Sequence, residues 1–262
     1  MSKLEKDFCC TLKTLMGRDD GKGIGGYEFY EDKTHYINWV SQMSEEDHNA
    51  YVKEINDTNP KMAAYASSAR FIYKSFKDKS NLKKLGLGIQ CCEDRVFEKI
   101  MKGKVRANFD MYLEEGKTKY YFEAKCRELF DYHYPYFPKS YKEIAKELFE
   151  DIEDKEYVKL KGLPEKLTGR LYFDIKQFVC HVLAIMNANN ENTNYLIYLL
   201  YAPKELLESN DYKGIYDKFI EQYKSAIRYV KDKLKADINF KLFIKTSIEE
   251  IEPIKFIEKE IN

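Results

Sequence analysis

The segment "ANFDMYLEEGKTKYYFEAK", Ala107 to Lys125, constrains the fold more than any other part of the sequence. Two alternating runs flank Gly116-Lys117, which reads as a β-hairpin. With a two-residue or four-residue loop centred there, pairing places Asp110 opposite Glu123, with Cβ atoms about 4.5 to 5.5 Å apart. Lys125, two residues beyond Glu123, shares that face. Phe109, Met111, Leu113, Tyr120, Phe122 and Ala124 then face the core. A three-residue loop would shift the register by one and put the two acids on opposite faces.

Two opposed carboxylates repel each other, and two readings accommodate them. In the first the hairpin has one solvated face, as antiparallel sheets often do. In the second a divalent cation lies between the acids. Mg²⁺, for which Mn²⁺ can substitute, takes oxygen ligands and is commonly held by one or two carboxylates plus phosphate. Such an ion polarises a phosphodiester and acidifies bound water, and the Lys125 ammonium orients the nucleophile or counters developing charge. That chemistry suits hydrolysis of a nucleic-acid backbone.

The surrounding chain reads as mixed α/β. Ser44 begins a capped helix, and Pro60 opens a second whose buried stripe is Met62, Ala66, Ala69, Ile72, Tyr73 and Phe76. Ser140 and Glu143 form a capping box for a helix through Ile152, and a long helix runs from about Arg170 to Ala188, with Leu171, Ile175, Phe178, Val182, Ile185 and Met186 inside. "TNYLIYLLYAP" is a buried strand, residues 211–236 a helix, "INFKLFIKT" a strand, and the last residues a charged helix. The expected architecture is a central mixed sheet of about four to six strands flanked by helices. One domain spans 1–262: an N-terminal helix and irregular segment (1–43), a core (44–205) and a helix-strand-helix extension (206–262).

Charge is balanced over the whole chain, with 44 basic and 44 acidic residues, so any polyanion surface must be local. Residues Arg70 to Arg106 carry eleven Lys/Arg against four Asp/Glu. Arg70, Lys74 and Lys77 on the second helix, followed by Lys99, Lys102, Lys104 and Arg106, are candidate phosphate contacts. The aromatic loop Phe130 to Tyr141 offers rings for base stacking. "GKGIGG", Gly21 to Gly26, has GxGxxG spacing but lacks the strand and helix that a nucleotide fingerprint needs, and reads as a loop. The six cysteines and four scattered histidines show no zinc spacing. Without an apolar span or a secretory leader, a cytoplasmic location is expected and no membrane association.

Asp110 followed by Glu123-Ala124-Lys125 resembles the D…(D/E)xK signature of the PD-(D/E)XK nuclease superfamily, the restriction-endonuclease-like fold. "ASSARF" before the strands, "VFE" before the Asp, "EAKCRELFDYH" and "DIKQFVCH" also look like a bacterial branch of it, over roughly Ala64 to Tyr201. The resemblance implies a Mg²⁺-dependent DNA endonuclease, a hydrolase of restriction or defence type. Asp110 and Glu123 would bind the metal with the Ala124 carbonyl, and Lys125 would assist the attacking water. Glu98, preferred over Glu93, would be the third acid, and Gln177 on the long helix, in line with Asp174 and His181, would approach the site. Glu128, Asp131 and His133 would support it or hydrogen-bond within their own turn, while Cys180 and His181 belong to packing. Phe109 stands where the family's motif has proline. Double-stranded DNA is the implied partner, with a homodimer to cut both strands. The rival is a catalytically silent nucleic-acid- or protein-binding module of the same fold, distinguished by whether metal binding depends on Asp110.

Overall fold

The computed structural model describes residues 2–16, 44–45, 67–90, 95–101, 103–131, 133–153, 155–188, 191–246 and 255–256. Among these the strands are β1 (Val96–Met101), β2 (Ala107–Glu115), β3 (Thr118–Lys125), β4 (Tyr136–Pro138), β5 (Phe149–Asp151), β6 (Tyr157–Leu160), β7 (Thr193–Tyr201), β8 (Asn239–Lys245) and β9 (Lys255–Phe256). The longer helices are α1 (Lys3–Met16), α2 (Ser68–Phe76), α3 (Ile175–Asn187) and α4 (Asn210–Leu234).

A six-stranded mixed sheet in the order β1-β2-β3-β7-β8-β9 forms the centre, flanked by helices, as expected for the class. β1, β2 and β3 are antiparallel neighbours, whereas β3, β7 and β8 run parallel. The hairpin has the two-residue turn: Glu115 pairs with Thr118, and Gly116 takes φ +59°. Positive φ at the first central residue alone is the pattern of a type II′ turn, which matches strand twist.

Helices lie on both faces. Phe76 of α2 packs on Phe122 at 5.6 Å between ring centroids, while Phe178 of α3 packs on Tyr198, the β7 neighbour of Glu123. Phe122 and Glu123 are consecutive and so point to opposite faces. α4 backs α3 through Tyr223, whose ring lies 5.5 Å from Tyr198 and whose hydroxyl donates to the Lys241 carbonyl at 3.0 Å. Phe173 joins Phe178, Tyr198, Phe219 and Tyr223 in one aromatic cluster that sets the height of α3 above the sheet.

Several expected elements differ. Helix α2 starts at Ser68: Ser67 is extended and its hydroxyl accepts the Arg70 N–H, so a helix continuous from Pro60 is cut there by its own cap. The helix expected to run through Ile152 ends at Ile144, because Leu148 and Phe149 are drawn into the core and β5 pairs with β6. β4, β6 and β5 form a second, three-stranded sheet that the helical pattern concealed. α3 begins at Ile175, five residues later than expected, since Gln222 of α4 accepts the N–H groups of Tyr172 and Phe173 and donates to the Arg170 carbonyl. Met186 is 38% exposed rather than inside. Residues 255 and 256 form a strand paired with β8, where a terminal helix was expected. β8, assigned to an extension, is hydrogen-bonded to β7 within the main sheet. The helices expected from Ser44 and Pro60 to Ala66, and the Gly21 to Gly26 segment, lie outside the described residues except for Ser44 and Glu45.

Candidate active site

The β2–β3 ladder runs from Glu115↔Thr118 to Met111↔Phe122 and stops one step short of Asp110 and Glu123. There the strands part from simple pairing. Asp110 accepts the Ala124 backbone N–H at 2.7 Å through one oxygen and the Ser68 hydroxyl at 2.8 Å through the other. The N-terminus of α2 thus holds Asp110, while α3 holds the residues from β3. Gln177 donates from Nε2 to Glu123 Oε1 at 2.8 Å, and its Oε1 accepts from Lys125 Nζ. Lys125 Nζ also donates to Glu123 Oε1 at 2.8 Å. Glu123, Lys125 and Gln177 therefore close a three-membered ring of hydrogen bonds.

The site is not a solvated hairpin face. Asp110, Glu123 and Lys125 are 7%, 3% and 4% exposed, less than many apolar residues of the chain. α3 covers them because its apolar stripe must lie on the sheet, and Asp174, Gln177 and His181 come down with it. Phe109 is fully buried in the core with Met111, as expected, and its ring also lies against His181 at 4.4 Å and Tyr121 at 4.9 Å.

Burial, and then the Glu123 charge, push the Asp110 carboxyl well above the usual carboxylate range, outweighing its two donors and Lys125. Burial works against the Lys125 charge, but Glu123, Glu128 and Asp174 outweigh it and hold the ammonium protonated far beyond neutral pH. His181 is driven down to about 3, first by burial and then by Lys125, and is neutral. Its Nε2 faces the Asn108 carbonyl at 3.0 Å and its Nδ1 faces the Tyr198 hydroxyl at 3.3 Å, which assigns the proton to Nε2. Nε2 also lies 3.8 Å from Glu123 Oε2, so the expected packing role is joined by a place in the wall of the site.

An outer layer supports this core. Asp174 caps α3 by accepting the Gln177 N–H at 2.9 Å; burial opposes its charge, but His133 and Lys125 hold it at about 2. Glu128 accepts the Cys126 N–H at 2.7 Å and stands 4.0 Å from Lys125, combining the turn and support roles. Asp131 pairs with Arg127 at 3.2 Å instead. His133 reaches Asp174 at 3.5 Å and the Glu128 carbonyl at 2.9 Å. Burial disfavours the imidazolium, but these two acceptors raise its pKa above the ordinary 6.5. A folded value above the unfolded one gives stabilisation that is complete below pH about 6.5 and lost as pH rises through the folded value. Melting temperatures of the wild type should fall through that window by an increment missing from His133→Gln. Parallel pH profiles would rule the pairing out.

Of the expected metal ligands, Asp110 and Glu123 converge. In a strand the N–H and C=O of one residue face the same neighbour, so the Ala124 carbonyl points to the Asp110 side as its N–H does. Glu98 lies on β1 with its side chain outside the described atoms, and Glu93 is outside the described residues. Among the described residues no three His, Cys, Asp or Glu side chains form a metal-ligand group. The donor set nonetheless fits Mg²⁺ or Mn²⁺: two carboxylates and a carbonyl are hard oxygens, and such ions keep several waters. A cation would also relieve the repulsion that raises Asp110.

The candidate phosphate contacts divide. Arg70 is 2% exposed, a correction: α2 turns that side into the core because its residues from Ala69 to Phe76 are nearly all buried. Lys74 is half-buried, Lys77, Lys104 and Arg106 are exposed, and the Lys99 ammonium lies over the Tyr112 ring at 5.3 Å. Lys102 is outside the described residues. Sequence reasoning missed Ser68 as the Asp110 donor and Tyr198 as the His181 partner; only the "ASSARF" helix start hinted at the former.

A cleft of about 560 Å³ opens beside the site, lined by Arg106, Asn108, Asp174, Lys176, Gln177 and His181, among others. Gln177 and His181 are shared between the cleft wall and Glu123. Among the described residues no helix is long and apolar enough to cross a membrane. Comparison with known proteins returned no matching family model, no matching curated protein and no matching solved structure.

Proposed function

We propose that this protein is a metal-dependent endonuclease of the PD-(D/E)XK kind, hydrolysing phosphodiester bonds in DNA, with a restriction or defence role and double-stranded DNA as substrate. The observation that carries this reading is the buried Asp110, Glu123, Lys125 and Gln177 group at the wall of an open cleft. Burying two acids and a lysine costs stability that an ordinary hairpin would avoid, and perturbed ionisable groups beside a cleft mark chemistry.

Asp110, Glu123 and the Ala124 carbonyl would hold Mg²⁺ or Mn²⁺, which supplies polarisation of the phosphate and acidification of a bound water. Lys125, held as an ammonium, acts by donating hydrogen bonds: it orients the attacking water and counters charge on the phosphorus oxygens. It is not the proton acceptor. Gln177 fixes Lys125 and Glu123 relative to each other, and neutral His181 with Phe109 and Tyr198 keeps bulk water from the inner side. A homodimer would present two such sites, one for each strand.

Supercoiled plasmid and single-stranded DNA incubated with Mg²⁺ or Mn²⁺ should be cut by the wild type. Lys125→Ala, its fold checked by circular dichroism, should lose about 10²–10³-fold in rate, as for removal of one transition-state donor. Equal cleavage by the variant would end the mechanism. No cleavage by either, with Mg²⁺ binding unaffected by Asp110→Ala, would favour the silent binding module.

A further inference from the structure

The cleft beside the acids brings together cations from distant parts of the chain. Arg106 precedes β2, and Lys176 is in the first turn of α3; both are exposed and both line the cleft with Asn108, Gln177 and His181. Asn108 lines the same wall, its Oδ1 buried away from the cleft. Asp174 also lines the cleft, but its charge is engaged by His133 and Lys125. The first turn of α3 adds the positive end of a thirteen-residue helix.

We propose that Arg106 and Lys176 form a phosphate subsite that takes the backbone phosphate next to the scissile one, so that a polynucleotide strand enters between β2 and α3. This rests on the nuclease reading and sharpens it. The strand path follows the α3 cleft, which Arg106 and Lys176 line. The volume lies within the range of pockets for single small ligands, about 300–1,000 Å³. The cleft thus holds a nucleotide-sized part of one strand. The ligand is a nucleic-acid strand rather than a free mononucleotide, because Gln177 and His181 line the cleft and also contact Glu123, so an occupant there adjoins the acid pair.

The test measures binding of a fluorescent single-stranded DNA oligonucleotide, about 12 nucleotides long, to the full chain in EDTA, at several salt concentrations between about 50 and 200 mM. Each phosphate contact removed should lower the magnitude of the slope of log affinity against log salt by about 0.7. Arg106→Ala and Lys176→Ala should each weaken binding several-fold and flatten the slope by about that amount, and the double variant by about twice as much. Lys233→Ala on α4, exposed and away from the cleft, should leave both unchanged. Arg106→Lys should restore most of the slope, because charge is what counterion release reads. A double variant with wild-type affinity and slope would overturn the subsite, as would absence of oligonucleotide binding by the wild type at low salt. Binding without metal separates the two readings. Intact subsite behaviour with no cleavage in Mg²⁺ would sink only the nuclease, and unchanged binding in the double variant with cleavage retained would sink only the subsite.

Discussion

Asp110→Asn is expected to abolish DNA cleavage and, in metal-free buffer at neutral pH, to raise the melting temperature above that of the wild type. Asp110 is 7% exposed, and burial together with Glu123 raises its pKa well above the usual range. A carboxyl whose folded pKa exceeds its unfolded one binds more protons when folded. Its contribution to stability is therefore greatest below pH about 4 and declines as pH rises through the folded value. Asparagine removes that decline and keeps the geometry, since its carbonyl accepts the Ala124 N–H and its amide donates to Ser68. The gain should be on the order of 1–3 kcal/mol, the usual cost of a poorly compensated buried group. Differential scanning calorimetry across pH 4 to 8 reads it directly, at about 2–4 °C per kcal/mol for a chain of this size. Mg²⁺ should raise the melting temperature of the wild type and not of the variant. A variant less stable than wild type throughout, or one that still cuts DNA, would contradict the assignment.

Glu123→Ala should be the most destabilising single change in the site. It leaves the Lys125 ammonium 4% exposed, with Gln177 as its remaining close acceptor and Glu128 at 4.0 Å. Breaking a buried pair from one side costs about 3–5 kcal/mol, chiefly through the stranded charge. Glu123→Ala combined with Lys125→Met should regain a large part of that loss, since a methionine fills the space without a charge. Urea unfolding of the four proteins gives the coupling energy, which should exceed about 1 kcal/mol. Simple additivity would mean that the two side chains do not meet in the folded protein.

Much of the central sheet was legible in the chain. Gly116 beside Lys117 permits the tight turn, and of the registers the sequence left open, the two-residue turn is the one found, pairing Glu115 with Thr118 through Met111 with Phe122. The apolar run from Thr193 to Tyr201 announced a strand buried on both faces. Helix limits were less legible because distant side chains set them. Gln222 captures the backbone of Tyr172 and Phe173, delaying α3, and the burial of Leu148 and Phe149 ends the helix begun at Ser140. Arg70 lay on the apparent basic side of a helical wheel, yet α2 is nearly surrounded by protein, which no wheel records.

By itself the sequence determined the mixed α/β class and the hairpin, and it narrowed the register to two. Periodicity and turn chemistry act over a few residues, and those features need nothing more. Tertiary structure alone decided that the acids are buried, that Ser68 and Gln177 hold them from two different helices, and that Arg106 and Lys176 line one cleft. Those outcomes depend on how helices distant in sequence pack on the sheet, and packing decides burial, pKa and access together.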